Sequence, residues 1–188
     1  MRAFIAVDAV AATELASLQR QLLTESGWTA ADVKAVEPAN FHFTLIFLGE
    51  ITEADVANIS KALSEIRFES FPVSYTGVGA FPRPETARVI WVGVDPQAER
   101  RLDALAAEVA AKMRGLGFQQ DKPFSAHLTL FRARDRPLKA RDVLAKFHSL
   151  SLEGPNQIVH SLHLKRSELR PAGPVYSNVY TVGSSAAM

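Results

Sequence analysis

Apolar and polar positions alternate along Arg2–Val7, which predicts a first strand, and Leu15, Leu18 and Leu22 then recur at helical spacing through Ala11–Ser26. Gly27 closes that helix, and residues 28–39, with Trp28 and Pro38, read as a connection. An apolar run over Phe41–Leu48 predicts a second strand ended by Gly49. Thr52 follows as the N-cap of a helix over Glu53–Arg67 that buries Val56, Ile59 and Leu63. Strand patterns over Phe71–Phe81 and Arg88–Val94 flank the turn-forming stretch Pro82 to Thr86, so a long hairpin is expected. Asp95-Pro96 opens a helix over Gln97–Arg114, closed by Gly115 and Gly117. A strand at Phe124–Phe131, a short helix at Ala140–His148 and strands at Ile158–Lys165 and Val175–Val182 complete the chain, with a frayed tail over residues 184–188. Strands with helices between them in a chain of this length predict an α+β fold, one domain over residues 1–183.

Two of the predicted strands carry the same tetrapeptide pattern: His42-Phe43-Thr44-Leu45 returns as His127-Leu128-Thr129-Leu130. Residues two apart on a strand share a face, so each copy projects a His and a Thr together. In the first copy Phe41, Phe43, Leu45 and Phe47 form the core face under strict alternation, and Ile46 and Leu48 join His42 and Thr44 on the other. In the second, Leu128 and Leu130 take the core role. A single His-x-Thr on a strand is commonly a structural pair. Two copies, each on a strand and each followed by Leu, point to one site that moves protons.

Composition excludes more than it names. The 188 residues contain no cysteine, which removes disulfides, thiolate nucleophiles and Cys-based zinc sites. A net charge of +1 does not suit a protein that coats nucleic acid along a long basic surface, but it leaves room for a basic cleft. The first eight residues are too short on apolar length for a signal peptide, and no run approaches the ~20 apolar residues of a membrane span. A cytoplasmic protein that spans no membrane is expected.

In these surroundings the repeat carries a family resemblance. The opening Arg2-Ala3-Phe4-Ile5-Ala6-Val7, the contexts Asn40 to Gly49 and Pro123 to Arg132 around the two motifs, and the strand Arg88 to Gly93 together resemble the two-histidine (2H) phosphoesterases. Within them the chain is similar to the RNA 2′,3′-cyclic phosphodiesterases, historically called 2′-5′ RNA ligases. The resemblance implies two pseudo-symmetric lobes of antiparallel-rich sheet with helices on the outer faces and an active-site cleft between the lobes. It also implies metal-independent opening of RNA 2′,3′-cyclic phosphate ends to 2′-phosphates, with 2′-5′ joining as the related activity. No cofactor or metal is implied, and a monomer with no protein partner is expected. His42 would be the proton donor and His127 the proton acceptor, with Thr44, Thr129 and Arg132 holding the phosphate. The residues themselves do not choose between the two histidine roles. Strict alternation also turns Arg132 away from His127 unless the strand bends, and the matching position in the first motif is Phe47.

Other features are weighed beside these. His160 and His163 sit on opposite faces of one strand and His148 lies apart, so none forms a joint metal site. Arg83, Arg88 and Lys122 would make a basic rim, and Phe124, Trp91 and Tyr176 are candidates to stack on a base. The competing readings are a module that holds nucleotides or RNA ends without turning them over, and a phosphodiesterase for small cyclic nucleotides.

Overall fold

The computed structural model describes residues 1–120, 122–152, 156–171 and 173–185. Strand β1 (Arg2–Asp8) leads into helix α1 (Ala12–Ser26), a short strand β2 (Val33–Ala35), the motif strand β3 (His42–Glu50) and helix α2 (Glu53–Leu63). Strands β4 (Phe71–Val73), β5 (Tyr75–Phe81) and β6 (Val89–Val94) precede helix α3 (Pro96–Gly115). The second motif strand β7 (Leu128–Ala133) follows, then helix α4 (Arg141–Ala145) and strands β8 (Gln157–Val159), β9 (Ser161–Arg170) and β10 (Gly173–Gly183).

Two four-stranded sheets result, one ordered β10-β9-β1-β3 and the other β2-β7-β6-β5, and every pairing between named strands is antiparallel. The unit strand–helix–strand–helix occurs twice, as β1-α1-β3-α2 and as β6-α3-β7-α4. In each copy the motif strand pairs with the first strand of its own unit. The long helices are exchanged: α1 lies against β7, and α3 lies against β3. One continuous apolar cluster therefore takes residues from both units, so neither motif strand is supported by its own half alone.

Local chemistry explains most element ends. Gly27 is in the left-handed conformation at φ 68° and donates its N–H to the Leu23 carbonyl, which stops α1. Thr52 and Asp55 form a reciprocal capping box on α2, and the Asp95 carboxylate accepts from the N–H groups of Gln97 and Ala98 at the start of α3.

Several expected boundaries move. The connection 28–39 contains β2, three residues long, held as an edge beside β7. The expected strand Phe71–Phe81 breaks at Ser74, which exchanges hydrogen bonds with Asp95, so β4 leaves to pair with β8 while β5 pairs with β6. Helix α2 stops at Leu63 rather than Arg67, and the Ala140–His148 helix shrinks to α4. Of the tail expected to fray, Ser184 and Ser185 donate to the carbonyls of His160 and Phe68; residues 186–188 lie outside the described residues. Among the described residues, no helix is long and apolar enough to cross a membrane.

Candidate active site

The motif strands depart from strict alternation, and that departure builds the cleft. Along β3 the partners run Val7 with Phe43 and Ala6 with Thr44, then Ile5 with Ile46 and Phe4 with Phe47, leaving Leu45 as an extra residue. A bulge of this kind reverses which face later side chains take. Phe43, Leu45, Ile46 and Leu48 are accordingly buried, whereas Phe47 is 66% exposed and lines the cleft with His42 and Thr44. This corrects the expected placement of Phe47 in the core and of Leu48 beside His42, while Ile46, though buried, still lines the cleft with His42.

The second motif repeats the irregularity. Trp91 pairs with Thr129 and Ile90 with Phe131, so Leu130 is extra, and Arg132 swings onto the face of Thr129 and into the cleft. Arg132 and Phe47 thus occupy equivalent positions after equivalent bulges. The bulge at Leu130 is braced from the first unit. Gln19 of α1 is 7% exposed and donates its amide to the carbonyls of Leu130 and Val36 at 2.8 and 3.0 Å. No pattern in the sequence marks this role, because a Gln among helical leucines carries no sign of its partner on a distant strand.

Both histidines sit where a strand begins, His42 as the first residue of β3 and His127 just before β7, rather than inside the expected strand Phe124–Phe131. Each ring meets the backbone carbonyl two residues earlier, His42 Nδ1 at 2.7 Å from Asn40 O and His127 Nδ1 at 2.8 Å from Ser125 O. A carbonyl only accepts, so Nδ1 carries the hydrogen in both rings and the neutral tautomer leaves Nε2 as an acceptor. Aromatic walls fix the ring planes. His42 lies 5.0 Å from Phe4 and 5.3 Å from Tyr176, and His127 lies 4.9 Å from Phe81 and 6.3 Å from Trp91 between ring centres.

Burial, foremost, lowers the pKa of His42 to about 4, opposed by the Asn40 carbonyl and assisted by the positive charges of Lys165 and Arg132. The same causes, burial first and Arg132 among the rest, hold His127 below the ordinary histidine value. Arg132 also acts on the Tyr176 hydroxyl, so its guanidinium sits within electrostatic reach of both motif histidines.

His42, Thr44, His127, Thr129 and Arg132 all line one cleft of about 1290 Å³. The cleft also takes Arg88, Lys122, Phe124 and Tyr176 from the other expected candidates, but neither Arg83 nor Trp91. Trp91 lies beneath, packed on Phe81 and His127. A Cβ on Gly79 would fall 2.2 Å from the Trp91 ring, so only glycine fits there. Gly79→Ala is expected to push the indole toward His127 and cost about 1–3 kcal/mol of stability, read by thermal unfolding.

Behind His42 lies a polar cluster. The Lys165 ammonium, in a residue only 6% exposed, donates to both Asp8 oxygens at 2.6 and 2.9 Å and to Asn178 Oδ1 at 2.7 Å. Asp8 stands directly across from His42 on the neighbouring strand, and His163 approaches Asp8 at 3.6 Å while meeting Thr181 and Ser161. His148 and His160 are exposed and away from the cleft. Among the described residues no three His, Asp or Glu side chains are grouped to hold a metal ion.

Comparison with known proteins agrees with this architecture. A family model described as LigT like phosphoesterase matches twice, over residues 5–91 and 92–176. An RNA 2′,3′-cyclic phosphodiesterase of Archaeoglobus fulgidus is 41% identical over 179 residues, covering 95% of this chain and 98% of the relative. One of Aeropyrum pernix is 38% identical over 163 residues, covering 84% and 90%. Among solved structures, TT0787 of Thermus thermophilus superposes with a TM-score of 0.71 at 27% identity over 97% of each chain. E. coli LigT complexed with 3′-AMP superposes with a TM-score of 0.76 at 23% identity over 98% of each.

Proposed function

Because the chain belongs to the LigT-like phosphoesterase family, we propose that it opens RNA 2′,3′-cyclic phosphate ends to 2′-phosphates, using His42 and His127 as its acid and base. One observation carries the mechanism: both imidazoles are fixed through Nδ1 by backbone carbonyls, with Nε2 left for a ligand in a cleft that both line.

The ester binds with its nonbridging oxygens toward the Thr44 and Thr129 hydroxyls and the Arg132 guanidinium, which donate to charge as it develops. Water attacks phosphorus, and its proton passes to Nε2 of His127. The bond from phosphorus to O3′ breaks, and His42 delivers the proton from its own Nε2 to that oxygen. The product is a 2′-phosphate beside a free 3′-hydroxyl, and one proton has been exchanged between the two rings. A 5′-hydroxyl in place of water gives 2′-5′ joining by the same transfers. His42 is neutral in the ligand-free protein at neutral pH, so its donor role requires proton uptake with the anionic ester.

That requirement sets the pH dependence. Activity on free enzyme and substrate needs one ring protonated and the other not, and the product of those populations peaks midway between the two pKa values. With His42 at about 4 and His127 depressed below 6.5, kcat/KM is expected to peak on the acid side of pH 6.5. In kcat the optimum moves upward, because the bound anion raises the donor. A kcat/KM maximum at or above pH 7 contradicts this electrostatic picture.

The function itself is tested by incubating the protein with EDTA and a short RNA ending in a 2′,3′-cyclic phosphate. The expected result is ring opening unaffected by the chelator. Absence of turnover overturns the reading in favour of a binding module, and activity lost to EDTA overturns its metal-free chemistry.

A further inference from the structure

The cleft is polarised, and the chemistry above leaves some of its cations unused. Its wall from the β10 sheet carries Phe47, Pro174, Val175 and Tyr176, while the wall from the β2 sheet carries Lys34, Arg88 and Arg132. Among the described lining residues the one carboxylate is Glu37, in a chain whose overall charge is only +1. Positive charge is therefore concentrated on one wall.

Lys34 is the informative member of that group. It stands on β2 directly across from Arg132 on β7, so the two side chains share the cleft face. An anion on that face can accept from both side chains at once. Lys34 also reaches across the cleft end. Its Nζ lies 2.9 Å from where a Cβ on Gly173 would stand, at the start of β10 on the opposite sheet. Asn40 closes the same end by donating to the Pro174 carbonyl at 3.1 Å. The Lys34 ammonium is thus held at one end of the cleft, with Arg132 between it and the histidines.

From this placement we infer that Lys34, across from Arg132, forms a second phosphate subsite, one that binds the phosphodiester immediately 5′ of the terminal nucleotide. The inference rests on the proposed reading of the site, because a chain whose 3′ end carries the cyclic phosphate continues only on its 5′ side. The substrate class it names is an RNA end of two or more nucleotides rather than a cyclic mononucleotide. Arg132 serves both phosphates, and Lys34 serves the upstream one.

The test is a titration with product-type ligands, which does not depend on turnover. Adenosine 2′-phosphate is compared with the dinucleotide ApA bearing a terminal 2′-phosphate, and with the same dinucleotide whose internal linkage is a neutral methylphosphonate. Lys34→Ala is expected to weaken the phosphodiester dinucleotide about three- to tenfold, the scale of one charge-assisted contact at a partly solvated site. Adenosine 2′-phosphate binding is expected to change by less than that, and Lys34→Arg to retain the preference. Because Arg132 also meets this linkage, the methylphosphonate should cost the unmodified protein at least that factor, and should cost the Lys34→Ala variant less than it costs the unmodified protein. Equal weakening of mononucleotide and dinucleotide, or of neither, overturns the subsite. If the subsite signature is present and the cyclic phosphate is never opened, the catalytic reading fails alone.

Discussion

Replacing His127 by alanine is expected to slow opening of an RNA 2′,3′-cyclic phosphate by about 10²- to 10⁴-fold, and His42→Ala to do the same within that range. In the proposed mechanism each ring contributes an Nε2 at the one place where a proton must leave the attacking water or reach the departing O3′, and no other described imidazole lines the cleft. The two effects should not multiply. A base without its acid partner completes little of a concerted transfer, so the double variant is expected to fall only slightly below the worse single one. Folding provides the control. The carbonyls of Asn40 and Ser125, which each ring meets, are at the cleft and can be rehydrated when the ring is removed. Thermal midpoints close to that of the unmodified protein, beside lost turnover, are the expected pair of readings. Full activity in either variant removes that histidine from the mechanism.

A ligand titration separates chemistry from binding in these variants. Thr44, Thr129 and Arg132 remain, so adenosine 2′-phosphate should still bind to His127→Ala within about tenfold of its affinity for the unmodified protein. A large loss of binding beside the lost rate would mean that the imidazole holds the phosphate rather than moving a proton.

The pairing of His with Thr was legible in the sequence because a period of two survives as far as the bulge. From His42 to Leu45, and from His127 to Leu130, alternation predicts burial correctly. Beyond those leucines it does not, since a bulge inserts one residue without changing any local propensity. For the same reason Phe47 reads as core in the sequence and stands in the cleft, and Arg132 reads as lying opposite His127, on the face of Leu128 and Leu130, and turns into the cleft. The exchange of α1 and α3 between the two units was equally invisible, because a helical apolar stripe does not name the sheet it covers. Strand β2 was missed because three residues are too few to show a period, yet it is the element that sets Lys34 across from Arg132. What sequence pattern conveyed was which side chains belong together. Their facing beyond the bulges, and the cations around them, came from long-range pairing.

Stability should prove most sensitive behind the site rather than in it. Asp8→Asn is expected to destabilise the protein more than Lys165→Met, although the two residues form one pair. The ammonium is the more buried partner, its side chain 8% exposed against 35% for the carboxylate. Removing the carboxylate charge leaves Lys165 with Asn178 as its neutral partner, whereas removing the ammonium leaves an Asp8 that water still reaches. Losses of about 3–5 kcal/mol for Asp8→Asn and about 2–3 kcal/mol for Lys165→Met follow from the cost of stranding a buried charge. They correspond to melting shifts on the order of 10 °C in a chain of this size. The double variant, which strands no charge, is expected to recover much of the loss. Function should follow the same order, because Asp8 sits opposite His42 where β1 meets β3, and a shift there moves the ring away from Thr44. Equal, small effects from both single variants would show that the cluster neither holds the strand pair together nor sets the position of His42.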